Sequence, residues 1–144
     1  MKLKRYTPEY LKYWHNKEEI DIPEYVYHED DVRGCWISNV VNIDTPKLTT
    51  IEEYQQHLIS ILDNMQSYNM NTAVFQVRPC NDAYYPSELN PWSRFITGTE
   101  GKDPGFDVFA FFIEEAKKRN IKVHAWMNPY RVSTAALNIE NKTE

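Results

Sequence analysis

Two short apolar stretches of this chain end in side chains that could bind a polar ligand. In the first, residues 72–77, Gln76 stands next to last and Arg78 follows directly. In the second, residues 122–126, His124 and Trp126 alternate with Val123 and Ala125, and Asn128 follows shortly after. Two amides, a guanidinium and an imidazole suit paired hydrogen bonds to vicinal hydroxyls. Between the stretches lie Asn81, Asp82, Tyr84, Tyr85, Trp92 and Arg94, with prolines at 79, 86, 91 and 104. Rings beside such polar groups suit a sugar, whose C–H faces stack on aromatics. The plainer reading of Tyr84, Tyr85 and Trp92 is that they pack this long segment onto the rest of the fold. For Gln76 or His124 taken singly, the plainer reading is a satisfied core group. Several such groups at consecutive strand ends point to function, because each buried without a partner costs about 1–3 kcal/mol.

The elements that must hold these residues follow from periodicity. Residues 32–41, 72–77 and 122–126 are short, apolar and β-branched enough for strands buried on both faces. Period-two alternation sets Ala73, Phe75 and Val77 toward helices and Val74, Gln76 and Arg78 away from them. It likewise groups His124, Trp126 and Asn128 against Val123, Ala125 and Met127. In the first strand, Trp36 and Ser38 alternate with Cys35, Ile37 and Asn39, and either set can face inward. Thr50 with Glu53 matches a capping box, and Tyr54, Leu58, Ile61, Met65 and Tyr68 follow at helical spacing. Asn69 or Asn71 can close that helix in a left-handed conformation. Asp107 is the expected N-cap of a second helix bearing Phe109, Phe112, Ile113 and Ala116, with Lys117, Lys118 and Arg119 in its last turn. Strands alternating with helices imply a parallel sheet with right-handed crossovers. Such folds collect function where strands deliver their C-terminal ends. The long segment from Arg78 to Phe106 belongs at that end.

Composition narrows the classes. With 16 basic and 21 acidic residues the formal charge is −5, and no dense basic patch offers a nucleic-acid footprint. No stretch reaches the length needed to span a bilayer. The basic start, Met1 to Tyr6, lacks the apolar run of a signal peptide, so the sequence as written reads as cytoplasmic. Cys35 and Cys80 fall at opposite ends of neighbouring strands and are expected as reduced, packed thiols. No zinc spacing is present. The four glycines, at 34, 98, 101 and 105, make no phosphate loop after a strand, which disfavours a nucleotide-binding doubly wound domain. No cofactor and no metal are expected. Residues 1–31 read as an extension with a short helix from Thr7 and Pro8 to Asn16 or Glu19, residues 32–131 as the main unit, and residues 132–144 as a polar tail.

Ordered motifs then carry a resemblance. They begin with Arg33-Gly34-Cys35-Trp36 and continue through Gln76-Val77-Arg78-Pro79, Asp82, Tyr85-Pro86-Ser87, Pro91-Trp92-Ser93 and Thr97-Gly98. Pro104-Gly105-Phe106-Asp107, Glu114-Glu115-Ala116 and the run from His124 to Arg131 complete the set. Across residues 32–131 the chain resembles the glycosyl hydrolase-like 10 family. It departs at Cys80, Lys117 and Asn120, where a small apolar residue, a histidine and a glycine are expected.

The resemblance implies an α/β fold of TIM-barrel type, of which this chain is the N-terminal βαβαβ portion: three parallel strands with two crossover helices, an incomplete barrel. It implies an oligo- or polysaccharide substrate, in bacterial members the cell-wall glycan peptidoglycan, and it would allow a secreted or envelope protein. The substrate-contacting residues it supports are Gln76, Arg78, Asp82, Tyr85, Trp92, His124, Trp126, Asn128, Tyr130 and Arg131. Glycoside hydrolysis needs two carboxyl groups flanking the bond, and the resemblance places them on strands beyond the third. The rim carboxylates at hand, Asp44, Asp82, Glu88, Glu100 and Asp103, all lie on loops. A full barrel takes about 250 residues, so the chain is expected to be a truncated gene product, or a half-barrel completed by its missing C-terminal part or a partner chain. On this reading it has no turnover alone, and the alternative is a non-catalytic carbohydrate-binding half-barrel.

Overall fold

The computed structural model of the chain describes residues 2–3, 9–24, 26, 28 and 31–134. The expected helix start at Thr7 and Pro8 and the tail from Ala135 onward lie outside them. The chain divides into two units, Met1–Asp31 and Val32–Glu144.

In the first unit, the described residues of the expected short helix form antiparallel pairings instead. Lys2 pairs with Asp21 and Lys12 with Glu19, and the Tyr13 and Ile20 amides donate to Glu18 and Leu11 at 2.8 and 2.9 Å. Lys17 turns the chain in the left-handed region, at φ 63°. The Asn16 side-chain oxygen accepts from the Glu18 amide at 3.1 Å. This local bond offers the backbone a turn in place of a helix. The aromatic residues Tyr10, Tyr13 and Trp14, which suit extended backbone, remain exposed here.

The second unit is built around one central strand. In chain order it contains β1 (Gly34–Ile37), a 3-10 turn (Val40–Asn42), α1 (Ile51–Ser67), β2 (Thr72–Arg78), the short α2 (Arg94–Thr97), α3 (Val108–Lys118) and β3 (Lys122–Met127). The three strands are parallel, in the order β1-β2-β3. Thr50 caps α1 by accepting from the Glu53 amide at 3.2 Å, and Asp107 caps α3 by accepting from Ala110 at 2.9 Å. Asn69 and Asn120 close the two long helices at φ 55° and 56°.

The helix-facing side of β2 is as the alternation predicts: Ala73, Phe75 and Val77 are fully buried. Phe75 stacks on Phe112 of α3 at 4.3 Å between ring centroids, and Tyr84 meets it edge-on at 6.1 Å. From α1, Tyr54, Leu58, Leu62 and Met65 join this core. Tyr68, expected on the same stripe, is exposed instead. It follows the last helical residue, at φ −92° and ψ 13°, so helical period no longer places it. Both long helices cover the Phe75 face, and α3 is tied to α1 by an Arg119–Asp63 bond of 2.6 Å. Among the described residues no helix covers the opposite face. A parallel sheet with its crossover helices on one side is part of an α/β barrel, which a doubly wound sheet, covered on both sides, is not.

The register decides which side of β1 faces inward. Trp36 lies opposite Val74, and Val74 opposite His124, so Trp36 shares the face of Gln76 and Trp126. Ile37 packs with Phe75 on the helix side. The pairing then slips: Gln76 lies opposite Trp126 but Arg78 opposite Met127, leaving Val77 as an extra residue. The pairing is irregular here, so simple alternation no longer fixes the side on which Arg78 lies. Cys35 and Cys80 are not joined in a disulfide.

The clasp between α1 and α3 has a measurable pH signature. Arg119 donates to Glu115 Oε2 and to the Glu115 carbonyl, both at 2.9 Å, while Lys118 pairs with Glu115 Oε1. The Lys118 ammonium first, and Arg119 second, hold the Glu115 carboxyl below the ordinary glutamate range. Lys118 is exposed and Arg119 nearly covered, so Arg119 is the partner less screened by water. A carboxyl with a depressed folded pKa stabilises above its unfolded value, and the gain is lost as pH falls through the folded value. Glu115→Gln is expected to cost about 1–3 kcal/mol near neutrality, with the gap to wild type closing in acid. Urea midpoints across that range check it; a gap independent of pH would refute it.

Candidate functional site

The C-terminal ends of the strands are organised by Gln76. Its side-chain oxygen accepts from the Asn39 and Val40 amides, both at 2.9 Å, and from the Ser38 hydroxyl at 3.2 Å. Two backbone donors fix which end of the amide is oxygen. Asn39 completes the hub by donating to the Gln76 carbonyl at 2.6 Å and accepting from Thr45 at 2.8 Å. The captured amides draw the chain out of the sheet after Ile37. That is why β1 stops short of the expected Val32–Val41. Gln76 is itself fully buried, so its oxygen shapes the loop after β1.

That loop is held tightly and is strained at one point. The Asp44 carboxylate accepts from the Ser38 amide at 2.6 Å. Asn42 donates to the Thr45 and Phe95 carbonyls at 3.0 and 2.6 Å, and the Leu48 amide to Ile96 at 2.6 Å. The loop after β1 and the long segment after β2 are thereby joined. Val41 and Asn42 have φ of 48° and 55°. Left-handed backbone costs roughly 1–2 kcal/mol for a side-chain-bearing residue, and most for a β-branched one. The amino-acid pattern extends the first strand to Val41, so the turn at Val40–Asn42 corrects that expectation; the clustering of Asn39, Asn42, Asp44 and Thr45 was the available signal.

At the ends of β2 and β3, Arg78 and Asn128 meet. The Asn128 amide donates to the Arg78 carbonyl at 3.0 Å, and its side chain to the Pro79 carbonyl at 3.3 Å while accepting from Trp126 at 3.3 Å. The Arg78 guanidinium donates to the side-chain oxygens of Asn81 and, at 3.1 Å, Asn90. These two asparagines also line a polar cavity of about 350 Å³ with Asp82, Ser87, Glu88 and Glu100. Asp82 is buried and accepts from the Cys80 amide at 2.8 Å. Beneath the loops, burial pushes the Tyr54 phenol up to about 12 and that of Tyr84 well above its ordinary range. Both therefore stay neutral at physiological pH.

The structure thus brings Arg78, Asp82 and Asn128 into one neighbourhood, linked through Asn81, Asn90 and the chain from Arg78 to Asp82. Trp126 joins through Asn128 and meets Trp36 edge-on at 5.0 Å and 81°. His124 is exposed on the same sheet face, two residues back along β3. Tyr130 and Arg131 are exposed beyond β3. Tyr85 is placed elsewhere: its ring lies 6.5 Å from Phe109, on the helix side. Trp92 is half-buried against the core, in a short parallel bridge with Ala83. Of the loop carboxylates, Asp44, Asp82 and Asp103 each engage a backbone amide. Among the described residues no helix is long and apolar enough to cross a membrane, and no group of three acidic, His or Cys side chains could hold a metal ion.

Comparison with known proteins bears on what this geometry serves. Residues 31–144 match the family model described as glycosyl hydrolase-like 10. The chain is 44% identical over 116 residues to glycosyl hydrolase YngK of Bacillus subtilis, covering 79% of this chain and 23% of that protein. It is 41% identical over 111 residues to glycosyl hydrolase DigH of Escherichia coli, covering 71% of this chain and 25% of that protein. The chain therefore spans about a quarter of the length of the curated relatives it matches. With a match of that extent, and with the strand order and inward face described above, the chain belongs to the glycosyl hydrolase-like 10 family.

Proposed function

We propose that this chain supplies the first-strand part of the sugar-binding face of a glycoside-hydrolase barrel. Its ligand is an oligo- or polysaccharide, and because the matched relatives are bacterial the glycan strand of peptidoglycan is the first candidate. The acid and base carboxylates come from elsewhere in the full barrel, for which relatives about four times as long have room. The observation that carries this reading is the polar cavity beside Arg78, where two asparagines, a buried aspartate and further hydroxyl and carboxylate groups converge at strand ends. Hydroxyl-rich ligands are recognised by such sets of paired donors and acceptors. The involvement of Asp44, Asp82 and Asp103 with backbone amides favours binding over proton transfer for these carboxylates.

Asp82→Asn retains an oxygen for the Cys80 amide and removes the charge. It is expected to weaken binding of a β-1,4-linked N-acetylglucosamine tetrasaccharide roughly tenfold, the worth of one charge-assisted hydrogen bond. Calorimetry on the folded chain measures this, with circular dichroism as the check on folding. No saturable binding by the folded wild-type chain would end the proposal. Release of reducing ends by this chain alone would overturn the assignment of the acid and base to other strands.

A further inference from the structure

The left-handed positions of the second unit follow a rule with one exception. Among its described residues, positive φ occurs at Gly98, Gly101 and Gly105, at Asn42, Asn69 and Asn120, and at Val41. Glycine and asparagine tolerate this conformation, and valine tolerates it least. Among the described residues of this unit, suitable residues therefore stand at every left-handed position but one, Val41. Core packing does not explain the departure, because Val41 is 57% exposed. Ile43, two residues on and with ordinary backbone at φ −64°, is 62% exposed. The polar hub around Gln76 holds the conformation, since the residues on either side, Val40 and Asn42, are anchored to Gln76 and to the Thr45 and Phe95 carbonyls. Strain kept in place by its surroundings, at the end of a sheet where ligands bind, points to a role for the side chain it presents.

We propose that Val41, with Ile43 beside it, contacts substrate by packing its isopropyl group against the apolar C–H face of a sugar ring. This rests on the carbohydrate reading above and names a specificity-determining residue for it. Val41 supplies shape and apolar surface only; Asn42, bonded to the Thr45 and Phe95 carbonyls, ties this turn to the long segment after β2.

The test separates strain from contact. Val41→Asn and Val41→Gly relieve the backbone and remove the isopropyl group. Both are expected to raise the thermal midpoint by about 3 °C or more and to weaken binding of the N-acetylglucosamine tetrasaccharide about fivefold or more. Val41→Ala keeps most of the strain and loses the contact, so it should weaken binding without a comparable gain in midpoint. Ile43→Ala should lose affinity with no gain in midpoint. Unchanged affinity in Val41→Asn and Val41→Gly overturns the contact, while leaving the carbohydrate reading standing if wild type still binds. A midpoint that stays or falls in both overturns the strain on which the inference rests. A folded wild-type chain that binds no tetrasaccharide removes both readings together.

Discussion

Gln76→Leu will cost about 3–5 kcal/mol of unfolding free energy, because it leaves the buried Asn39 and Val40 amides without an acceptor at about 1–3 kcal/mol each. The Ser38 hydroxyl loses its partner as well. Leucine preserves volume, so little of the loss comes from packing. The effect is expected to be local before it is global. Residues 38–45 should open ahead of the sheet, and amide exchange at Asn39 and Val40 should quicken far more than at Phe75. Urea unfolding supplies the total and hydrogen exchange its location. A loss under about 1 kcal/mol with unchanged exchange would mean that the hub is ornamental.

Phe112→Ala attacks the other face of the same strand and should lose a similar 3–5 kcal/mol by a different route. Its ring is fully buried and lies 4.3 Å from Phe75, which in turn meets Phe109 and Tyr84. Removing it takes away apolar burial and leaves a cavity that the flanking helices cannot collapse into freely. Domains of this size have roughly 5–15 kcal/mol in all, so a large fraction of the protein should unfold near physiological temperature. Here exchange should quicken throughout the sheet, whereas Phe112→Leu should recover most of the loss. If exchange in Phe112→Ala rose only around α3, the core would be less cooperative than its ring cluster implies.

What could be read from the amino acids alone divides along physical lines. The caps at Thr50 and Asp107, a left-handed close at Asn69 or Asn71, and the buried set Ala73, Phe75 and Val77 were legible, because each depends on neighbours within a few residues or on simple alternation. The end of β1 was not, since it is fixed by a carboxamide 39 positions away from Ile37 in sequence. A comparable sequence separation hid the strained Val41, which is held between the Val40 bond to Gln76 and the Asn42 bonds to the Thr45 and Phe95 carbonyls. The pairings around Asn16 were missed because a helix start and a turn draw on the same residue types. In the candidate site, alternation correctly put Gln76 and Trp126 on one face, but could not show that Gln76 spends its oxygen on the backbone. Tyr85 and Trp92 looked like sugar platforms by type, and it took the path of the long segment to place one against Phe109 and the other against the core.

The extra residue at the end of β2 has a consequence of its own. Because Val77 is surplus to the pairing with β3, the heading of Arg78 is written into main-chain length rather than into the identity of residue 78. A lysine there would inherit the heading and forfeit only the planar fork that spans Asn81 and Asn90. Shortening the strand by one residue would instead turn whatever follows through half a revolution, exchanging rim for interior. Point substitutions can therefore tune this corner of the barrel, while a single codon lost or gained would rebuild it.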